Sequence, residues 1–328
     1  MKNKDKRSFS KDILIINDIE AECNRIVSGI RENILQRMNR RGGVLGISGG
    51  IDSAVTMVLS AKALGPENVL GIMLPEKDSS RDSAVFAQRL ADKFGVKAIT
   101  DDSTGALEGF GCYKRRDEAV KKILPQYDPS SHKMKIGIKN AGLFTNLPPL
   151  FSVTIVDPDG NEKSQRLPSP EFMQIEAASN FKQRCRMAML YYHAERIHFA
   201  VIGTPNKHEV EQGFFVKYGD GGADIMPIAH LYKTQVYQLA RYLEIPQEII
   251  DRTPTTDTYS AEQTQEEFFY QLPFHQMDLL WYAFKNDYDA EEVGKVMDRT
   301  PEEVRKLFSG FERKIKTTEY LRMPPVSN

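Results

Sequence analysis

The stretch VLGISGGIDSA, Val44 to Ala54, decides how the chain folds. Its first residues are apolar or glycine and suit a short buried strand, Val44–Ile47. Asp52-Ser53-Ala54 open a run with helical spacing, and Ser48-Gly49-Gly50 lie between the two. A strand that ends in glycines and feeds a helix leaves unpaired N–H groups at the positive end of the helix dipole, which makes an anion site. Gly49 and Gly50 permit backbone conformations and a close approach that a Cβ would deny. Ser48 and Ser53 add hydroxyl donors, and Asp52 adds a carboxylate able to hold a metal that shields phosphates. The competing reading is a tight strand–helix turn without a ligand. Two familiar phosphate loops are excluded: GxxxxGK[ST] is absent, and the spacing fails GxGxxG.

On either side of this stretch, strands and helices alternate. Apolar residues at Ile19, Cys23, Ile26, Ile30, Ile34 and Met38 predict a helix over 18–40, ended by Gly42-Gly43. Helices are expected over 52–64 and 79–94, and strands over 68–74 and 97–100. This order predicts an α/β fold, a doubly wound parallel sheet with helices on both faces. The pattern lapses between Ala106 and Leu167, apart from a short helical stretch near Asp117–Ile123. SVTIVDPDGNEKSQRLP reads as a hairpin turning at Asp157–Gly160. We read 106–167 as an insert within one unit spanning 1–328. A helix over 170–196, a strand over 199–202 and a helix over 231–243 follow. Residues 263–328 read as mostly helical, with Thr300 as cap, Pro301 first inside and Glu303 in capping-box position. Trp281, Tyr282 and Phe284 suit a core or dimer face.

Composition narrows the class of function. Of 328 residues, 41% are hydrophobic and 27% charged, which is enough for a substantial core. A net charge of −1 gives no general case for nucleic acid or an anionic membrane. No apolar run approaches the ~18 residues of a membrane span. The polar, lysine-rich start MKNKDKRSFSKD is not expected to be a secretory signal. Cys23, Cys112 and Cys185 stand far apart without a CxxC pair, as befits reduced thiols in a cytoplasmic protein.

Ser48-Gly49-Gly50-Ile51-Asp52-Ser53 resembles the pyrophosphate-binding loop of the N-type ATP pyrophosphatases, whose fold is Rossmann-like, of the adenine nucleotide alpha hydrolase type. The second half of the chain is similar to the ammonia-dependent NAD synthetases in particular. The matching pieces are N-x-x-x-R-x-R-M at Asn180–Met187, G-T-x-N-x-x-E at Gly203–Glu209, G-D-G-x-A-D-x-x-P at Gly219–Pro227, and L-x-K-T-Q-V at Leu231–Val236. The resemblance implies that ATP adenylates the nicotinate carboxylate of deamido-NAD, that pyrophosphate leaves, and that ammonia attacks the acyl-adenylate to give NAD and AMP. It implies ATP contacts from Gly46, Ser48, Gly49, Gly50, Ile51, Asp52, Ser53, Arg184, Thr204, Lys233 and Thr255. It implies substrate contacts from Asn180, Lys217, Asp220 and Asp224, a catalytic set of Asp52, Lys217 and Lys233, and Mg2+ held by Asp52 and Glu209. A homodimer is implied too, with ammonia free in solution or handed over by a separate glutaminase.

Bland readings compete at several of these positions. Glu209 alone would pass for a solvated loop carboxylate, Thr204 and Thr255 for helix caps, and Asp224 for a turn former. Cys185 reads as a core thiol, and His193 and His198 as capping or packing groups. The sequence departs from the family in three places. PTTDTYSAEQTQEE carries Thr256, Thr258 and Gln265 where alanine, leucine and an acidic residue are usual. KTTEYLRMPP keeps Arg322 but has Tyr320 and Leu321 where histidine and lysine are usual, and the insert is long. These departures leave open a divergent amide ligase acting on another acid, or a nucleotide-binding regulator without catalysis.

Overall fold

The computed structural model describes residues 7–139, 150–255, 259–261 and 263–327. α1 (Ile19–Arg31) begins at Asp18, whose carboxylate accepts from the Ala21 N–H, and a π-helical turn extends it to Arg37. β1 (Gly43–Gly46), α2 (Ile51–Leu64), β2 (Val69–Met73), α3 (Arg81–Phe94) and β3 (Lys97–Thr100) follow, each within a few residues of the sequence expectation. The helix expected over 18–40 is therefore shorter in its regular part, giving way to a π turn at Glu32.

After β3 come α4 (Thr104–Gly109), α5 (Cys112–Ile123) and three strands, β4 (Lys133–Lys139), β5 (Leu150–Val156) and β6 (Glu162–Arg166). β5 and β6 form the expected hairpin, with Val156 opposite Glu162, but β4 pairs on the other side of β5 and makes a three-stranded antiparallel sheet. The insert thus has more structure than its periodicity indicated. Met134, Ile136, Val153 and Ile155 put one sheet face against Val120 of α5 and Leu124 just after it, while β6 is exposed throughout.

α6 (Ser169–Ile197) brings the chain back to β7 (Ala200–Val201). The main sheet runs β3-β2-β1-β7 with every neighbour parallel. Successive residues face opposite sides, as the pleat requires. Val44, Leu70, Ile72 and Val201 meet Met187, Leu190 and Ala194 of α6. Leu45, Val69, Ala200 and Ile202 meet α1, α2 and α3 on the other face. α2 lies between the sheet and α1, which is why it is buried on nearly every side. The expected α/β sheet with helices on both faces is what forms. The strand expected over 199–202 keeps two ladder residues, and Ile202 makes a bridge to Ile225 instead.

α7 (Lys207–Gln212), α8 (Lys233–Tyr242) and α9 (Gln247–Ile250) complete this part of the chain. α10 (Phe274–Lys285), α11 (Ala290–Met297) and α12 (Pro301–Thr317) build a second core around a fully buried Trp281, with Phe9, Ile13 and Leu14 packed into it, and the short α13 (Glu319–Arg322) follows without a buried residue. Of the two readings of Trp281, the core one is what the structure shows. Thr300 and Glu303 form the expected capping box.

Leu59 is buried in α2 beneath the sheet. Leu59→Ala is expected to cost about 2–5 kcal/mol, seen as a lower denaturant midpoint with an unchanged m-value.

Candidate active site

From β1 the chain winds outward to β2 and β3, then returns through α6 to β7 on the opposite side of β1. The winding therefore reverses between β1 and β7, and a crevice opens at their carboxyl ends. Two adjoining cavities occupy it. The larger, about 280 Å³, is floored by Ile72, Met73, Leu74, Met187 and Leu190 and also touches Gly46 and Asp220. The smaller, about 150 Å³, is lined by Ser48, Gly50, Ile51, Asp52, Ser53, Glu209, Lys233 and Arg252. Ser48, Ser83, Thr204, Thr255 and Gln265 line both and form the waist between them.

The loop Ser48–Ser53 keeps its shape through its own hydroxyls. Ser53 Oγ donates to the Gly50 carbonyl at 2.9 Å, and the Gly50 N–H donates to Ser48 Oγ at 3.3 Å. Gly50 is the N-cap of α2 and supplies no side-chain cap, so the first-turn N–H groups point into the cavity without an internal acceptor. Gly49 has φ +71, and a Cβ there would lie 2.5 Å from the Ser83 carbonyl oxygen. Here glycine is required both by backbone conformation and by space.

Charges gather on one side of the waist. Lys233 opens α8, is wholly buried, and donates to Asp52 Oδ2. Asp52 Oδ1 accepts from Asn206 Nδ2 at 3.3 Å. Asn206 also caps α7 in a capping box with Glu209, whose Oε2 accepts the Asn206 N–H at 2.8 Å. Burial, reinforced by the charge of Asp52, pushes the Glu209 carboxyl up to about 8. Burial alone would lower the Lys233 amine, but Asp52 and Glu209 outweigh it and hold it above the usual lysine range.

Does this set suit magnesium? Two carboxylates line the smaller cavity, one of them raised by burial and by the charge of the other, and the hydroxyls of Ser48 and Ser53 stand nearby. That is an all-oxygen donor set for a hard cation, whose remaining positions phosphate oxygens and water fill. Among the described residues no group of three or more His, Cys, Asp or Glu could hold a metal by itself. A site completed by its ligand is what the two carboxylates fit.

Not every residue singled out from sequence comes to the crevice. Arg184 is exposed and gives its Nε to the Lys217 carbonyl at 3.1 Å, while Arg186, two residues on, lines the larger cavity and bonds the Leu74 carbonyl. Asn180, on α6, lines neither cavity. The Lys217 amine donates to the carbonyls of Tyr320 and Met323 at 3.1 and 2.7 Å and stacks on Tyr320, so the C-terminal segment occupies it. Asp224 spends both oxygens, one on the Val201 N–H at 2.8 Å and one on the Tyr191 hydroxyl at 3.0 Å. These long-range bonds tie the sheet edge to α6 and are not those of a turn former. Thr256 and Thr258 lie outside the described residues. His193 pairs with Asp101 and His198 ends α6 in the left-handed region, both packing roles as expected. Cys185 is half-buried and the other two thiols are buried, all free.

Other participants carried no motif. Arg252 and Ser83 become visible only once α3 and the segment after α9 are brought together; Arg186, by contrast, stands within the N-x-x-x-R-x-R-M stretch and reaches the larger cavity where Arg184 does not. Gln265 Oε1 is buried at the waist without a hydrogen-bond partner. Beside the larger cavity, Glu76 and Asp78 receive Lys182 at 3.0 and 2.6 Å, and Asp78 also receives Arg116. The Tyr113 hydroxyl donates to Glu76 at 2.7 Å. This buried network fastens the loop after β2 to α5 and α6.

The NAD synthase family model matches residues 22–136 and 156–325. The nineteen residues it passes over lie within β4, β5 and their connection. An NH3-dependent NAD+ synthetase of Rhizobium meliloti (strain 1021) is 45% identical over 317 residues, 97% of this chain and 94% of the relative. One from Methanocaldococcus jannaschii is 31% identical over 308 residues, 94% of this chain and 96% of the relative. Among solved structures, an NH3-dependent NAD synthetase from Campylobacter jejuni superposes with TM-score 0.62 at 20% identity, covering 95% of this chain and 100% of that one. An NMN synthetase from Francisella tularensis gives 0.65 at 21%, covering 94% and 98%. At these identities the structural likenesses speak to the fold.

Gly49→Ala is expected to leave the fold standing but strain the loop by about 1–3 kcal/mol. Affinity for inorganic pyrophosphate, measured by calorimetry, should fall by about tenfold or more.

Proposed function

The chain belongs to the NAD synthase family, and from that premise we propose how its own residues carry out the reaction. It is a ligase that uses ATP and ammonia to amidate deamido-NAD, releasing AMP and pyrophosphate. The observation that carries this reading is the division of the crevice into a larger cavity with an apolar floor and a smaller one that holds most of the charged groups, joined at a neutral waist beside the α2 N-terminus.

The adenine takes the apolar cavity against Ile72, Leu74, Met187 and Leu190. The β- and γ-phosphates take the Ser48–Ser53 loop, where backbone N–H groups and the helix dipole meet their charge. That puts the α-phosphate at the waist, among the hydroxyls of Ser48, Thr204 and Thr255. The deamido-NAD carboxylate attacks there, in line with the pyrophosphate leaving group. Lys233 offsets the charge that builds on the transferring group, and Asp52 holds its ammonium in place. When bound by Asp52 and Glu209, Mg2+ supplies Lewis-acid neutralisation of the phosphate oxygens. Ammonia then attacks the acyl carbon, AMP leaves with the carboxylate oxygen, and the excess proton passes to water. No covalent bond to the enzyme is needed, so catalysis is positioning and electrostatics.

Asp220, at the edge of the apolar cavity, and Lys217 belong to the substrate side in this proposal. Lys217 must first leave the tail carbonyls that hold it. A homodimer acting in the cytoplasm completes the proposal. Free ammonia or a separate glutaminase would serve as donor. Among the described residues no helix is long and apolar enough to cross a membrane.

The purified chain with ATP, magnesium and ammonium is expected to form NAD and AMP in equal amounts only when deamido-NAD is added. Pyrophosphate release triggered by a different acid, with no NAD formed from deamido-NAD, would overturn this reading. Asp52→Asn should lower kcat by at least about 100-fold with unchanged circular dichroism. Near-normal turnover would remove Asp52 from the phosphate site.

A further inference from the structure

Arg252 follows α9 on a segment that no sequence motif picked out. Its guanidinium lines the charged cavity opposite the α2 N-terminus. Nη1 lies 3.3 Å from where a Cβ on Gly49 would stand, so it faces the backbone of the glycine turn directly. Nη2 donates to Ser83 Oγ at 2.8 Å, and the group rests on the Phe86 ring, 5.5 Å from its centroid. Two contacts from α3 therefore fix its direction, and both leave other N–H donors of the fork unspent. Among the described residues no carboxylate pairs with it.

The contrast with Lys233 shows what this arrangement suits. Lys233 is tied to Asp52 and balances a carboxylate. Among the described residues Arg252 balances no carboxylate, and it stands between the glycine turn and the waist residue Ser83, within reach of a polyphosphate seated on the loop. A planar guanidinium held by its edge and by an aromatic face presents parallel N–H donors, the geometry that grips two oxygens of one phosphate. Such a group gains strength as charge collects on a departing pyrophosphate.

We propose that Arg252 is a catalytic residue that binds the pyrophosphate leaving group, donating to its oxygens while the Ser48–Ser53 loop holds both phosphates. The assignment rests on the ATP-cleaving reading above.

The test compares wild type with Arg252→Met, which keeps the stem on Phe86 and loses the charge, Arg252→Lys, and Ser83→Ala. Calorimetry with magnesium pyrophosphate and, separately, with AMP is the readout, followed by pyrophosphate product inhibition. Arg252→Met is expected to lose about 10- to 100-fold in pyrophosphate affinity with AMP affinity within twofold of wild type. Arg252→Lys should recover part of the loss, and Ser83→Ala should weaken pyrophosphate less than Arg252→Met does. Equal losses for AMP and pyrophosphate would mark a merely structural role and overturn the proposal. Unchanged pyrophosphate affinity in Arg252→Met would overturn it as well. If wild type makes no AMP and pyrophosphate from ATP under any acid, the reading beneath fails instead, a result the wild-type assay alone reveals.

Discussion

The ion pair between Lys233 and Asp52 is the contact on which the rest of the site depends. It joins the first turn of α8 to the first turn of α2, across the carboxyl ends of the sheet. A wholly buried ammonium is tolerated only with a partner, and stripping a buried ion of its partner costs roughly 3–5 kcal/mol. The pair is braced from behind. The Thr234 N–H donates to Asp278 Oδ2 at 2.7 Å, Asp278 Oδ1 pairs with the buried His208, and Gln212 bonds the other His208 nitrogen. One continuous polar network thus sets α7, α8 and α10 relative to the glycine loop. Glu209, beside His208 on α7, has its place fixed by the same network.

That constraint explains why the crevice is divided as it is. Asp52, Glu209, Lys233 and Arg252 all lie in the smaller cavity, and the five residues of the waist are neutral hydroxyls and one amide. Two carboxylates and two cations nearly cancel, so an incoming polyphosphate needs added positive charge. Burial, with the Asp52 charge beside it, pushes the Glu209 carboxyl up to about 8. The apolar cavity carries only Arg186 and Asp220 as formal charges. More of the formal charge thereby lies on the leaving-group side of the bond that breaks, and the waist between the two cavities is neutral.

Much of this was legible in the sequence. β1, α2, β2, α3 and β3 followed from period and punctuation, because a buried parallel sheet writes short apolar runs between glycines and helix starts. Ser48, Gly50, Asp52, Glu209, Lys233, Thr204 and Thr255, singled out from loops over 200 residues apart, meet in one crevice. β4 is hidden in the sequence although Lys133 and Lys135 alternate with Met134 and Ile136; these two lysines lie opposite the apolar face and mask it. Arg252 and Ser83 could not be read, since neither carries a spacing signal and each acquires its role only from the packing of α3 against the segment after α9. Lys217 and Asp224 were read as ligand contacts from their motif. In the structure their contacts go to the C-terminal segment and to the sheet edge, partners that lie far off in sequence or have no local pattern.

The central claim is that the charged cavity receives pyrophosphate while the α-phosphate is attacked at the waist. Deamido-NAD labelled with 18O in its nicotinate carboxylate tests it most directly. After one turnover with ATP and ammonia, mass spectrometry should find one 18O in AMP, none in pyrophosphate, and the remaining one in the amide of NAD. Label in inorganic phosphate, with ADP as the nucleotide product, would mean attack at the γ-phosphate and would contradict the account.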